Sequence, residues 1–240
     1  MIPISDENPT RTFPIVTILL IVINVLVFIY ELSLGSGIEQ FFQTCAFIPA
    51  ELVLGRDIPP PDCVQPFYLT ILTSMFMHGS LLHIGGNMLY LWIFGNNVED
   101  AMGSLKFLLF YLAGGIIAAL TQTFITTAFL PDEAGVPNLG ASGAIAAALG
   151  AYLVLYPGAR VRTLIIFGFF WSMTRIPALI VLGLWFVLQV IEGVGSVGGT
   201  HASGGVAVWA HVGGFVFGML LAKVLAHPAR GRRAVPVYRF

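Results

Sequence analysis

Ser142, His211, His83 and Asn87, with His78 nearby, are the side chains of this sequence whose types and spacing suit acyl-transfer chemistry inside an apolar surround. Ser142 stands in Leu139-Gly140-Ala141-Ser142-Gly143-Ala144. Gly140 and Gly143 there allow a tight turn into a helix and close approach of a substrate backbone. A serine at a helix start has two readings. It can cap the helix through its side-chain oxygen, or it can act as a nucleophile where free N–H groups and the helix dipole stabilise an oxyanion. His83 and Asn87 are four residues apart and share one helical face. They suit either an oxyanion hole, as two hydrogen-bond donors aimed into one cavity, or polar contacts between membrane helices. His78 lies about 140° round the same helix from His83 and is expected to brace an outer loop. His211 stands in Ala210-His211-Val212-Gly213-Gly214, with Gly218 one further turn along. Gly214 and Gly218 form a small-xxx-small surface for close helix approach, and Gly143, Ala147 and Ala151 make a matching stripe after Ser142. Pairing the two stripes brings Ser142 and His211 within reach, the imidazole as general base.

Several chemistries are excluded. Glu31, Glu99, Asp100 and Glu192 fall at the ends of apolar stretches, so no facing carboxylate pair is available for an aspartic protease and no mid-span acid completes a Ser-His-Asp triad. His78 to His83 encloses Gly-Ser-Leu-Leu rather than the glutamate pattern of a zinc protease. The sequence predicts no metal and no cofactor. A Ser-His dyad remains.

The elements that must position these groups are apolar helices. The chain has 240 residues, 57% hydrophobic and 10% charged, with a mean hydropathy of +0.89, too few charges for the surface of a soluble domain. A net charge of -1 gives no reason to expect nucleic acid as a partner, since such binding depends on a clustered basic surface. Stretches long enough to cross a bilayer are expected at about residues 14–34, 69–96, 105–128, 142–156, 177–191 and 206–226. The first has no cleavage site after it and is expected to be retained. Residues 161–176 are apolar but flanked by Arg160, Arg162 and Arg175, which suits either an interfacial segment or an extension of the fifth span. The chain is thus expected to be one all-α membrane domain, residues 1–240, of six transmembrane helices in the lipid bilayer. An outer loop spans 35–66 and a basic tail 227–240. With both termini cytoplasmic, ten of the eleven Lys and Arg residues fall on the cytoplasmic side and only Arg56 outside. That topology puts Cys45 and Cys63 in an outer loop where they can pair. His201, in the glycine-rich stretch 193–205, is expected to be solvated.

Taken in order, the His-x-x-x-x-His-x-x-x-Asn helix, the Gly-x-Ser-Gly helix start and the Ala-His-x-x-Gly-x-x-x-Gly helix resemble the rhomboid family of intramembrane serine proteases, over nearly the whole chain. The resemblance implies Ser142 as nucleophile, His211 as base, and His83, Asn87 and the Ser142 backbone N–H as oxyanion stabilisers. Transmembrane protein substrates are implied as partners, and a bacterial-type plasma membrane as the location. Two positions depart from the family pattern. Leu69 and Thr70 stand where many members have a Trp-Arg pair anchoring the outer loop, and Ala146 stands where some have a tyrosine packing on the base. Two other readings are a proton-relaying transporter or channel, which intramembrane histidines also suit, and a catalytically inactive rhomboid-like helix-binding protein.

Overall fold

The computed structural model describes residues 1–58, 61–198 and 207–227. The chain opens with a short strand, β1 (Ile2–Asp6), and enters the first long helix, α1 (Ile15–Ser33), after Pro14. Pro14 offers no side-chain cap, so the orphan N–H groups of the first turn need another acceptor. Glu99 provides it: its carboxylate accepts from Val16 N–H at 3.0 Å and from Thr17 N–H and Oγ1 at 2.8 Å each. Asp100 does the same for Thr12 N–H and Oγ1, at 2.9 and 2.7 Å. The acids read as span-end residues therefore act as caps for a different helix.

The outer loop is folded. It carries α2 (Ile38–Cys45) and α3 (Pro49–Leu54), the latter closed by Gly55 at φ +67°. Cys45 and Cys63 form a disulfide, Thr73 Oγ1 donates to Cys45 O at 2.9 Å, and Phe47 bridges to Asn138 just ahead of Ser142. These ties secure the loop without the Trp-Arg pair whose place Leu69 and Thr70 occupy.

The stretch expected to be one second helix is broken into pieces. These are α4 (Thr70–Ser74), a loop carrying His78, α5 (Leu81–Tyr90), a π-helical turn at Leu91–Gly95, and α6 (Asn96–Met102). Ser80 caps α5, its Oγ accepting from His83 N–H at 3.1 Å. Gly103, at φ +85°, reverses the chain into α7 (Ser104–Phe129). Next comes α8 (Ser142–Leu155), in which every residue from Gly143 to Tyr152 is buried. Its Gly-Ala-Ile-Ala-Ala-Ala sequence explains this, because alanine favours helix and small side chains let neighbours approach from all sides. The last two helices are α9 (Ala178–Val197) and α10 (Val208–Leu225). Among the described residues α1, α7, α9 and α10 are long and apolar enough to cross a membrane, and α8 is a shorter apolar helix.

Residues 161–176 are neither helical nor part of the fifth span. They form a β-hairpin, β2 (Arg160–Phe167) and β3 (Phe170–Pro177), with β1 added antiparallel in the order β1-β2-β3. The all-α expectation is corrected to a helical bundle with a small sheet at the end remote from Ser142. The run is rich in β-branched and aromatic residues, and Gly168 turns it at φ +59°. Its hydropathy alone does not separate strand from helix.

Candidate active site

Helices α8 and α10 meet backbone to backbone. A Cβ at Gly214 would lie 2.1 Å from Gly143 O, one at Gly218 1.9 Å from Ala147 O, and one at Gly150 2.1 Å from Phe215 O. Such contacts are closed to any larger residue, so the two small-residue stripes pair as their spacing predicts. Ser142 lies one residue before Gly143 and His211 about one turn before Gly214, and the pairing brings the two side chains together. His211 Nε2 lies 2.7 Å from Ser142 Oγ. Ala141, not Ser142, occupies the N-cap position of α8, and the Ser142 hydroxyl meets the imidazole instead. The Ser142 N–H, at the first position of α8, has no acceptor within the helix.

The other ring nitrogen, His211 Nδ1, is hydrogen-bonded to Gln189 Oε1 on α9. An amide oxygen only accepts, so Nδ1 carries the proton and Nε2 keeps its lone pair for the Ser142 hydroxyl. Trp185, one turn before Gln189, packs on the imidazole with ring centroids 5.7 Å apart, filling the role left open by Ala146. Gln122 of α7 holds the start of α10, accepting from Ala210 N–H at 3.1 Å. Gln189, Trp185 and Gln122 were missed in the sequence. For Gln122 and Gln189 the available signal was an uncharged amide in the middle of an apolar span, which needs a partner there.

The second group of donors lies across the same cavity. Gly140, at φ +127°, turns the chain into α8 so closely that a Cβ on it would sit 2.8 Å from His83 Nε2 and 3.8 Å from Asn87 Nδ2. Both side chains are thereby placed beside the turn that carries Ser142. His78, expected to brace the outer loop, makes its hydrogen bonds and ring contact with Asn87, His83 and α1 instead. Its Nε2 accepts a hydrogen bond from Asn87 Nδ2 at 2.9 Å, its ring packs edge-on against His83, and its backbone N–H donates to the buried Glu31 carboxylate of α1 at 3.2 Å. Asn87, so held, also lines the cavity. His201 and residues 228–240 of the basic tail lie outside the described residues.

Ser142, His211, His83 and Asn87 all line one cavity of about 720 Å³, together with Tyr90 of α5 and Trp185 of α9. Its walls are otherwise largely aliphatic and aromatic, a setting in which preorganised hydrogen bonds to developing charge are strong. No group of three or more His, Cys, Asp or Glu side chains is placed to hold a metal ion among the described residues.

A family model described as Rhomboid domain matches residues 66–228. The chain is 30% identical over 227 residues to the rhomboid protease GluP of Bacillus subtilis, covering 94% of this chain and 37% of that protein. It is 27% identical over 197 residues to rhomboid protein 1, mitochondrial, of Saccharomyces cerevisiae, covering 82% and 51%. With the presenilin-associated rhomboid-like protein A, mitochondrial, of Danio rerio it shares 28% over 176 residues, covering 72% and 41%. The chain thus spans about half or less of the length of these relatives. The apolar helices and these matches make it a multi-pass membrane protein. The matched region holds the broken helix, the Gly-x-Ser-Gly turn and the His211 helix, and by that match the chain belongs to the rhomboid family.

Proposed function

We propose that this chain is an intramembrane serine endopeptidase that cuts transmembrane segments of other membrane proteins through a Ser142–His211 dyad. The observation that carries the reading is the 2.7 Å contact from Ser142 Oγ to His211 Nε2, made in the cavity that His83 and Asn87 also line. In this reading the hydroxyl proton passes to Nε2 as Oγ attacks the scissile carbonyl carbon. The resulting oxyanion is held by the Ser142 N–H, His83 and Asn87. The protonated imidazole then gives its proton to the leaving amine, and a water activated by the same nitrogen hydrolyses the acyl-enzyme. Gln189 is a positioning residue: it fixes the tautomer and aim of the base, the task an aspartate performs in a Ser-His-Asp triad. An amide does this without the cost of burying a charge in an apolar surround.

The chain crosses the bilayer six times in this proposal, the fourth crossing being the short helix α8 inside a sheath of longer ones and the second the interrupted α4 to α6 stretch. Arg11, Lys106, Arg160, Arg162, Arg175 and Lys223 mark one end of the bundle as the cytoplasmic one, and Ser142 opens toward the other. Substrate helices reach the cavity between α5 and α9, whose side chains Leu82, Tyr90 and Trp185 line it.

The test is labelling of the purified, reconstituted protein with a fluorophosphonate probe, alongside cleavage of a single-span substrate. Ser142→Ala and His211→Ala should each remove both signals while leaving the protein folded. The double variant should be no worse than either single one, because a dyad acts as a unit. Substantial cleavage by purified Ser142→Ala would end this reading, and absence of probe labelling in the wild type would favour an inactive helix-binding member.

A further inference from the structure

The hairpin of β2 and β3 has one graded face. Side chains alternate across a strand, and the register pairs Arg162 with Arg175, Leu164 with Met173 and Ile166 with Trp171, so these pairs and Arg160 share a face that runs from basic at the base to apolar at the tip. The opposite face docks on the bundle, where Val161 and Thr163 are fully buried, and this fixes how the hairpin is held. Like charges directly opposite each other destabilise a sheet. Arg162 and Arg175 are placed so. Glu7 offsets only Arg175, at 2.7 Å, and Arg160 and Arg162 make no ion pair among the described residues. The three arginines, with Met173 and Thr174, line a cavity of about 530 Å³.

The tip is bare. Phe167, Phe169, Phe170 and Trp171 are 83%, 104%, 81% and 72% exposed, a density of aromatic surface that marks a contact with something apolar. From the hairpin the chain passes through Pro177 directly into α9, whose exposed Leu179, Ile180, Leu184, Val187 and Leu188 form part of the lipid-facing surface. The base of the hairpin, with its three arginines, therefore adjoins the start of α9, and the aromatic tip lies at the far end of the same two strands.

We infer that this hairpin is a lipid anchor: its aromatic tip enters the headgroup–acyl boundary of an anionic leaflet, and Arg160, Arg162 and Arg175 bind lipid phosphate. Aromatic rings favour that depth, arginine forks match phosphate oxygens two at a time, and a phosphate between Arg162 and Arg175 turns a repulsive pair into a clamp. The occupant is fixed by charge complementarity and by continuity with the lipid-facing helix, and it does not depend on the protease reading.

The test uses Phe169→Cys carrying a polarity-sensitive fluorophore, since Cys45 and Cys63 are joined to each other. The labelled full chain is reconstituted in phosphatidylcholine vesicles with and without phosphatidylglycerol. Emission should be quenched by doxyl-labelled lipid and shielded from aqueous iodide, more so with phosphatidylglycerol. Binding of short-chain phosphatidylglycerol to the detergent-solubilised protein should weaken about five-fold for each of Arg160→Gln, Arg162→Gln and Arg175→Gln. Quenching by iodide in both vesicle types overturns the inference. So does shielding from both quenchers, which would place the tip against a second copy of the chain, and so does lipid quenching indifferent to phosphatidylglycerol and to the arginines.

Discussion

His211 gives one ring nitrogen to Ser142 and the other to Gln189, so the loss of Gln189 should be read in turnover rather than in binding. Gln189→Leu is expected to lower kcat by about 10- to 1000-fold, the cost of a base in the wrong tautomer or poorly aimed. KM and Tm should change little. Gln189→Glu, which keeps an acceptor facing Nδ1, should recover most of the loss, whereas a purely packing role would be served equally well by leucine. Asn87→Ala is expected to reduce kcat by about 10- to 1000-fold without abolishing it, as when one oxyanion donor of several is removed. His78→Ala acts through Asn87, so the double variant should fall well short of the product of the two single losses when kcat is measured on the same preparations. The meeting of Ser142 with His211 was legible because glycines at fixed offsets mark where backbones must approach. Gln189, Glu31 and the true place of His78 were not, because an uncharged amide in an apolar run signals the need for a partner without showing which one, and the break in the second span rotates His78 away from the face that a continuous helix predicts.

At the scale of elements, the site is as rigid as the contact between α8 and α10. The Cβ of Gly218→Ala would stand 1.9 Å from Ala147 O, so the helices must separate, at about 1–3 kcal/mol for forced overpacking. A lower Tm and a matching loss of cleavage are expected. Gly183 on α9 makes the control, since a Cβ there meets nothing within 4 Å. Gly183→Ala should be neutral or stabilising by about 0.5–1 kcal/mol, the helical preference of alanine over glycine. Equal melting temperatures for the two variants would refute the close-contact account. The helices α1, α7, α8, α9 and α10 were legible from apolar length and small-residue spacing. The sheet was hidden because Val161 to Ile176 reads as one hydrophobic run, whose β-branched and aromatic residues and Gly168 turn suit strands but whose length and hydropathy also suit a span.

For the molecule as a whole, the N-terminal strand closes the end opposite the dyad. Asp6 accepts from Tyr152 Oη at 2.7 Å and from Asn97 Nδ2 at 2.9 Å, and burial pushes its carboxyl up to about 6 against those bonds. A folded value above the unfolded one means that the neutral form is favoured by folding. This contribution is full below about 3.8 and is lost as pH rises through about 6. Asp6→Asn, neutral throughout, should melt higher than the wild type above that range, with the gap closing in acid. A gap independent of pH would contradict the burial of the carboxyl. Between this end and the dyad runs the π-helical turn at Leu91–Gly95, whose i to i+5 bonds hold more residues per turn than an α-helix does. It works as a phase shifter. Upstream of it the helix must aim His83 and Asn87 into the cavity, and downstream it must aim Glu99 at the first turn of α1. One residue advances a helix by about 100°, so deleting a single residue from 91–95 would regularise the helix and leave it able to satisfy one end of the protein or the other. Such a deletion should yield either a folded chain without turnover or a chain whose first helix comes loose, and the two are told apart by proteolysis of the N-terminal segment.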